Sequence, residues 1–246
     1  MNSDTVNTYF GEMHNKRALY YDMLSSTNDI AKSEAGKFPE SDVVVLAREQ
    51  SGGRGRLGRS FASAPGGMYL SASHRPSAGA GECLHFTALA ALACADAIRS
   101  LTGIEPEIKW PNDLQIEGRK LCGILCEAVH SGSSFFLVTG IGVNVTNPMP
   151  EGVNAVSLVE FTENPPEIEA LAARVVQNLD EYYALAFSRK AELLSRYRSR
   201  CNTLGQEIRS KADGTLIGTA VDIDENAALI IRTASGELIT KTSGEV

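Results

Sequence analysis

No apolar run in the chain approaches the ~20 residues that a membrane-crossing helix needs. The opening stretch, MNSDTVNTYFGEMHNK, lacks the basic cluster and apolar segment of a secretory leader. A cytoplasmic location with no membrane partner is therefore expected. Positive charge is in deficit: 23 Lys+Arg stand against 30 Asp+Glu, a formal net charge of -7. That balance argues against a general nucleic-acid binder, which would carry a basic face. The P-loop signature G-x-x-x-x-G-K-[ST] is absent, and the glycine-rich stretch does not open a βαβ unit, so nucleotide binding by those folds is not implied. Cysteines are few and odd in number (83, 94, 122, 126, 201) and sit at apolar positions. Reduced, buried thiols explain them more simply than disulfides. Cys122 and Cys126 are spaced C-x-x-x-C, but no second Cys/His pair stands nearby, so no dedicated metal site is expected. Internal repeats and long low-complexity linkers are also missing.

What remains is a chain of 246 residues, 43% hydrophobic and 22% charged, enough for one sizeable core and a small second domain. Residues 42–47 form a valine-rich apolar run of strand length. Residues 68–74 alternate as a half-buried strand does, and 82–101 is an Ala/Leu-rich helix stopped near Gly103. A short helix follows Ser26 or Thr27 as cap, with Gly36 at its C′ position. Residues 113–117 and 120–127 read as a β-hairpin around Gly118-Arg119, and 135–145 as a strand with internal glycines. Two helical stretches fill 167–200. From Leu204 onward, short β-like segments alternate with Asp-Gly, Asp-Glu-Asn and Ser-Gly turns, which suggests a small barrel. The expected division is 1–203 and 204–246.

Four short segments carry polar chemistry. Gly52-Gly-Arg-Gly-Arg-Leu-Gly-Arg59 holds three arginines and four glycines. Glycine lets a backbone approach a ligand closely, and arginine forks match carboxylate and phosphate oxygens. The pair describes a flexible cationic loop that closes over an anion; a solvated linker is the bland alternative. Ser25-Ser26-Thr27-Asn28 is at least a helix cap. Lys109-Trp110-Pro111-Asn112-Asp113 is a rigid turn presenting Asn112 and Asp113, with Lys120 following, either functional or a solvated surface charge. Gly140-Ile-Gly142-Val-Asn144 places glycines where a ligand could lie against a strand. None of the four histidines (14, 74, 85, 130) falls in these segments.

In this order, S-S-T-N, G-R-G-R-L-G-R, K-W-P-N-D, R-K-L-C-G-I-L and G-I-G-V-N resemble the biotin protein ligases, from about Ser25 to the C-terminal Ser-Gly-Glu-Val. The resemblance implies an α+β catalytic domain, a mixed β-sheet flanked by helices as in class II synthetases, and a C-terminal SH3-like barrel. It implies an acyl-adenylate-forming ligase that uses biotin, ATP and Mg²⁺ and modifies a lysine of a biotin carboxyl carrier protein. Ser26, Thr27 and Gln50 would hold the biotin ring, with Arg54 and Arg56 closing over it and Gly123 permitting close approach. Arg54, Arg56 and Arg59 would clamp carboxylate and phosphate, with Mg²⁺ shared among phosphate oxygens. Lys120 would neutralise charge during transfer, Asn144 would read the adenine edge, and Asp113 would orient or deprotonate the carrier amine. Asn28, Gly53, Gly55, Lys109, Trp110, Asn112, Leu125 and Gly142 complete the implied binding set; Lys120, Arg56 and Asp113 are the implied catalytic residues. About twenty residues precede Leu24, too few for a winged helix-turn-helix, so the monofunctional class is expected, monomeric or homodimeric and without nucleic acid. With Trp110 the single tryptophan, none later in the chain is there to stack on adenine. A lipoate–protein ligase and a non-catalytic biotin-binding module or sensor are the alternatives.

Overall fold

Residues 43–47 form the middle of a strand, β2 (Asp42–Gln50), that is buried on both faces. Val44 and Leu46 enter the main core, and Val43 and Val45 enter a smaller one on the opposite face. This is the two-residue period of a strand placed between layers. Each such buried aliphatic side chain stabilises the fold by roughly 1.5–3 kcal/mol. The structure, a computed structural model, describes residues 10, 16–77, 79–131, 134–210 and 213–242. The opening segment up to residue 15 (Phe10 apart) and the terminal Ser-Gly-Glu-Val therefore lie outside the described residues.

Around β2 runs a mixed seven-stranded sheet in the order β1-β2-β3-β7-β6-β5-β4. Its other strands are β1 (Lys16–Leu24), β3 (Gly67–His74), β4 (Glu107–Lys109), β5 (Asp113–Ile116), β6 (Arg119–Ser131) and β7 (Ser134–Asn144). Only β1 and β2 pair in parallel; the other pairings are antiparallel. Helix α1 (Thr27–Lys37) covers the smaller core through Ala31 and Ala35, whose small side chains bring helix and sheet close. Helices α2 (Phe86–Thr102), α3 (Ile168–Ala184) and α4 (Lys190–Arg200) cover the other face. No helix among the described residues is long and apolar enough to cross a membrane.

Strand β1 has no counterpart in the sequence reading. It is an edge strand with a weakly alternating, half-exposed pattern, paired only with β2, so its periodicity is blurred. The expected helix stop at Gly36 is also displaced: α1 continues to Lys37. Arg75 explains this, because its guanidinium donates to the carbonyls of Ala35 (2.6 Å), Phe38 (3.3 Å) and Ser41 (2.8 Å). A side chain from β3's end thus satisfies the terminal carbonyls that a left-handed glycine otherwise would. Gly103 does take the left-handed cap of α2, with φ 75°. The hairpin turn falls at Glu117-Gly118, both at positive φ (51° and 71°), the type I′ geometry that matches strand twist. After α4 come β8 (Glu207–Arg209), β9 (Leu216–Ile223), β10 (Leu229–Arg232) and β11 (Leu238–Lys241), an antiparallel sheet in the linear order β11-β10-β9-β8.

Candidate active site

Parallel pairing of β1 with β2 delivers two of the polar segments to the same end of the sheet. The Ser51 and Gly52 N–H groups donate to the carbonyls of Leu24 and Ser25, both at 2.9 Å. The Gly-Arg stretch beyond them is ordered by its own backbone. Gly55 N–H donates to Arg59 O (2.7 Å) and Phe61 N–H to Gly53 O (2.9 Å), with Leu57 and Gly58 turning the tip at φ 55° and 75°. These bonds fold the stretch into a small hairpin.

Under this hairpin lies a cleft lined by Ser26, Thr27, Asn28, Gln50, Arg54, Gly55, Arg56, Arg59, Lys109, Trp110, Asn112, Asp113, Lys120, Gly123, Leu125 and Gly142, all read from the sequence. Gly140, read as a glycine against which a ligand could lie, lines it too; Leu57, Ser60, Phe61, Leu70, Pro111, Ile124 and Ile141 also line it and were not singled out. Gly53 and Asn144 are not among the lining residues. At Gly53 a Cβ would stand 2.5 Å from both Phe61 O and Ser63 Oγ, so its role is to let the hairpin base close. Asn144 is 5% exposed; its amide donates to Val156 O (3.1 Å) and its carbonyl accepts from Asn147 (3.1 Å). Both ends of the side chain are thus engaged within the protein, tying the end of β7 to the segments at Val156 and Asn147.

At one end of the cleft the polar side chains are chained together. Ser26 occupies the N-cap position of α1 but makes no capping bond. Instead Gln50 Oε1 accepts from Thr27 N–H (2.8 Å) and Thr27 Oγ1–H (3.1 Å), while Gln50 Nε2 donates to Ser63 (2.9 Å). Ser71 Oγ stands 2.8 Å from Thr27 Oγ1 and 2.5 Å from Asn28 Oδ1. Thr27 has given its proton to Gln50, and Ser71 has only one to give. One of those two oxygens is left able to accept.

Asn28 Nδ2 donates to Glu127 (2.7 Å), which also takes Lys32 at 2.6 Å. Burial pushes the Glu127 carboxyl up, but the hydrogen bonds from Lys32 and Asn28 outweigh it and the net direction is downward. A depressed folded-state pKa contributes stability that is complete above the ordinary glutamate value, about 4.3, and is lost as pH falls through the folded value. The Glu127→Gln variant should therefore show a shallower loss of melting temperature below about pH 4.3 than the parent chain. Identical acid limbs in thermal melts would contradict this.

At the other end stand the charges. Arg56 Nη1 donates to Asn112 Oδ1 (3.1 Å), and Asn112 is fixed by reciprocal bonds with Ile124, Nδ2 to carbonyl at 2.7 Å and N–H to Asn112 O at 3.0 Å. Burial pulls the Arg56 pKa below the usual arginine value, against the opposing pull of Asp113 and Tyr197. Arg54 belongs instead to the first end, paired with Asp29 of α1 and near enough for its charge to help lower the Glu127 carboxyl. Lys120 Nζ lies 2.9 Å from Asp113 Oδ1, yet that buried oxygen accepts no hydrogen bond of good geometry.

A β-bulge puts Lys120 there. Leu114 pairs with Cys122 but Gln115 with Lys120, so Leu121 is an extra residue in β6. In an unbroken strand, residues 120 and 123 would point to opposite faces. The bulge shifts Lys120 onto the face of Gly123, where a Cβ would lie 3.2 Å from Lys120 Nζ. Consecutive burial of Leu121 and Cys122 is the trace this leaves in the sequence. Phe61 covers the cross-strand pair Gly123–Gly142, 5.8 Å from Lys120 Nζ. Among the described residues, no group of three or more His, Cys, Asp or Glu side chains is gathered so as to hold a metal ion.

Trp110 is 2% exposed, and its indole N–H donates to Ala227 O at 2.8 Å. Its polar end therefore faces the C-terminal sheet, while the residue also lines the cleft.

Known proteins carry the same organisation. Residues 20–144 match the family described as Biotin/lipoate A/B protein ligase, and residues 203–246 match the Biotin protein ligase C terminal domain. The biotin–[acetyl-CoA-carboxylase] ligase of Mycobacterium tuberculosis is 32% identical over 231 residues, 90% of this chain and 85% of that protein. The bifunctional ligase/repressor BirA of Bacillus subtilis is 30% identical over 92% of this chain and 72% of its own length. A biotin protein ligase from Aquifex aeolicus, solved in complex with biotin and ATP, superimposes with a TM-score of 0.77 at 26% identity, covering 93% of this chain and 97% of that one. On both domain matches and on relatives that span nearly its whole length, the chain belongs to the biotin protein ligases.

Proposed function

We propose that these residues divide between them the two half-reactions of an ATP-dependent biotin–protein ligase: activation of biotin as biotinyl-5′-AMP, then transfer to a lysine of a biotin carboxyl carrier protein. The observation that carries the reading is the meeting, in one cleft, of a hydrogen-bonding end with an arginine–lysine–aspartate end. A ureido head offers both N–H and C=O groups to the Thr27, Asn28 and Gln50 end, where an oxygen is left to accept. The dithiolane of lipoate offers none, so the same feature disfavours the lipoate alternative.

In the first step a carboxylate oxygen of biotin attacks the α-phosphorus of ATP and the bond to the β-phosphate breaks, releasing pyrophosphate. Two anions must approach, and fixed cations lower that cost most where charge develops. Lys120 is the group we assign to the reacting oxygens, with Arg56, held by Asn112, clamping the phosphate and Arg54 and Arg59 closing the hairpin. Mg²⁺ enters as part of the nucleotide substrate. In the second step the carrier's amine attacks the acyl carbon, the bond to AMP breaks, and the amine gives up a proton. We assign Asp113, whose buried oxygen lies 2.9 Å from Lys120 Nζ without a well-aligned hydrogen bond, to take it or to orient the N–H. Residues 1–203 would carry this chemistry and 204–246 would form a supporting unit.

Mass spectrometry after incubating the chain with biotin and MgATP, without carrier, should detect biotinyl-5′-AMP. In Asp113→Asn the adenylate should still form, while transfer to an added carrier domain falls about 10²-fold or more, the usual scale of lost general-base help. Absence of adenylate from biotin-saturated parent protein would end this reading. Equal transfer rates would remove Asp113 from it.

A further inference from the structure

The indole of Trp110 forms a route from the C-terminal sheet into the catalytic turn. Its N–H donates to Ala227 O (2.8 Å), while its backbone N–H donates to Thr203 Oγ1 (2.9 Å). The next residue, Pro111, offers its carbonyl to Tyr197 Oη (3.2 Å). Beyond it Asn112 orients Arg56 and Asp113 meets Lys120. On the far side, Ala227 sits at φ 63° in the turn between β9 and β10. A non-glycine residue keeps such a conformation only where its surroundings over-determine it. Asp224 does so: its carboxylate accepts the N–H groups of Asn226 and Ala228, both at 2.8 Å, while its carbonyl accepts from Ala227 (3.1 Å). Lys190 reaches Asn226 Oδ1 at 3.4 Å from α4.

We infer that Trp110 is a positioning residue through which the β9–β10 turn fixes Asn112, and with it Arg56, so that the C-terminal sheet sets the geometry of adenylation without touching substrate. The inference rests on the ligase reading above. The turn it invokes lies outside the cleft lining, and the indole N–H bonds it directly to a residue of that lining.

The test uses the full chain and two variants, Trp110→Phe, which keeps an aromatic ring but drops the N–H, and Asp224→Ala, which dismantles the turn and substitutes no cleft residue. Formation of biotinyl-5′-AMP by the parent protein establishes the ligase reading independently. In both variants kcat for adenylation should fall about tenfold or more, the scale of a small misplacement of catalytic groups, while KM for biotin stays within about twofold because the Thr27–Gln50 end is untouched. Trp110 is the single tryptophan, so its emission in Asp224→Ala should shift to the red as the indole loses its carbonyl. In an Asn112→Ala background, Trp110→Phe should cost little further, since both act on one turn. A merely structural tryptophan would give additive losses instead. If Trp110→Phe does not fold, Asp224→Ala decides alone. A red-shifted Asp224→Ala that keeps parental kcat, or strict additivity with Asn112→Ala, overturns the inference.

Discussion

Replacing Lys120 with alanine is expected to slow biotinyl-5′-AMP formation by about 10²–10³-fold, the effect of removing one preorganised group from a developing charge. The bulge in β6 is the reason for expecting so much from one lysine. Without it, the side chain would point into the layer occupied by Cys122; with it, the ammonium reaches the face of Gly123 beside Asp113. The loss should appear in kcat, because Lys120 stands apart from the Thr27–Gln50 end. Folding should survive. The Lys120 side chain is 35% exposed, and an ion pair of that kind contributes only about 0–1 kcal/mol. The melting temperature should accordingly move by a few degrees at most, roughly 2–4 °C per kcal/mol in a domain of this size. Arginine should not restore the rate, since its planar fork spreads charge over a larger group than a point ammonium and Phe61 and Gly123 already crowd the site. Pyrophosphate release at saturating biotin and ATP measures this. A Lys120→Ala chain within about twofold of parental kcat, against the 10²–10³-fold expected, would take Lys120 out of the reaction.

Much of this site was legible in the sequence because its chemistry sits in short, contiguous segments. Arg56, Asn112, Asp113 and Lys120 are each named by a local pattern, and the structure gathers them in one cleft. The strands behind them were legible for a related reason, since residues 43–47 and 68–74 carry their burial in their own periodicity. What stayed hidden depends on groups distant in the chain. Gly36 reads as a helix stop until Arg75 supplies the cap. Ser26 reads as a side-chain cap until Gln50 takes the Thr27 N–H from another strand. Trp110 and Asn144 stand inside recognisable motifs, but proximity in a motif does not say which way a side chain is used. Their polar atoms are paired with Ala227 and with Val156 and Asn147, contacts set by tertiary packing alone. The glycines divide the same way: their presence is plain, while the atom each one makes room for is not.

That division gives the second large effect, a contrast between two glycines of one strand. Gly140→Ala should lower stability by about 1–3 kcal/mol, the usual cost of overpacking, and raise KM for biotin, whereas Gly142→Ala should cost little in stability. A Cβ at Gly140 would lie 2.1 Å from Asn28 Oδ1 and 2.9 Å from its Cγ. Asn28 cannot easily give way: it is 4% exposed and held by Glu127, Ser71 and, at 3.4 Å, Leu125 O. Moving it breaks the Glu127 contact and disturbs the oxygens offered to the head group. At Gly142 the clash is with Phe61 ring carbons, nearest 2.5 Å, but that ring is only partly buried and sits just past the arginine hairpin. It can turn aside within its rotamer range. Thermal melts and biotin titrations of the two variants separate the cases. Adding Asn28→Ala to Gly140→Ala should recover part of the lost melting temperature, because the clash disappears with its partner, although binding stays weak. If the two single variants melt together, or the double variant is simply additive, then Asn28 is not what keeps residue 140 a glycine.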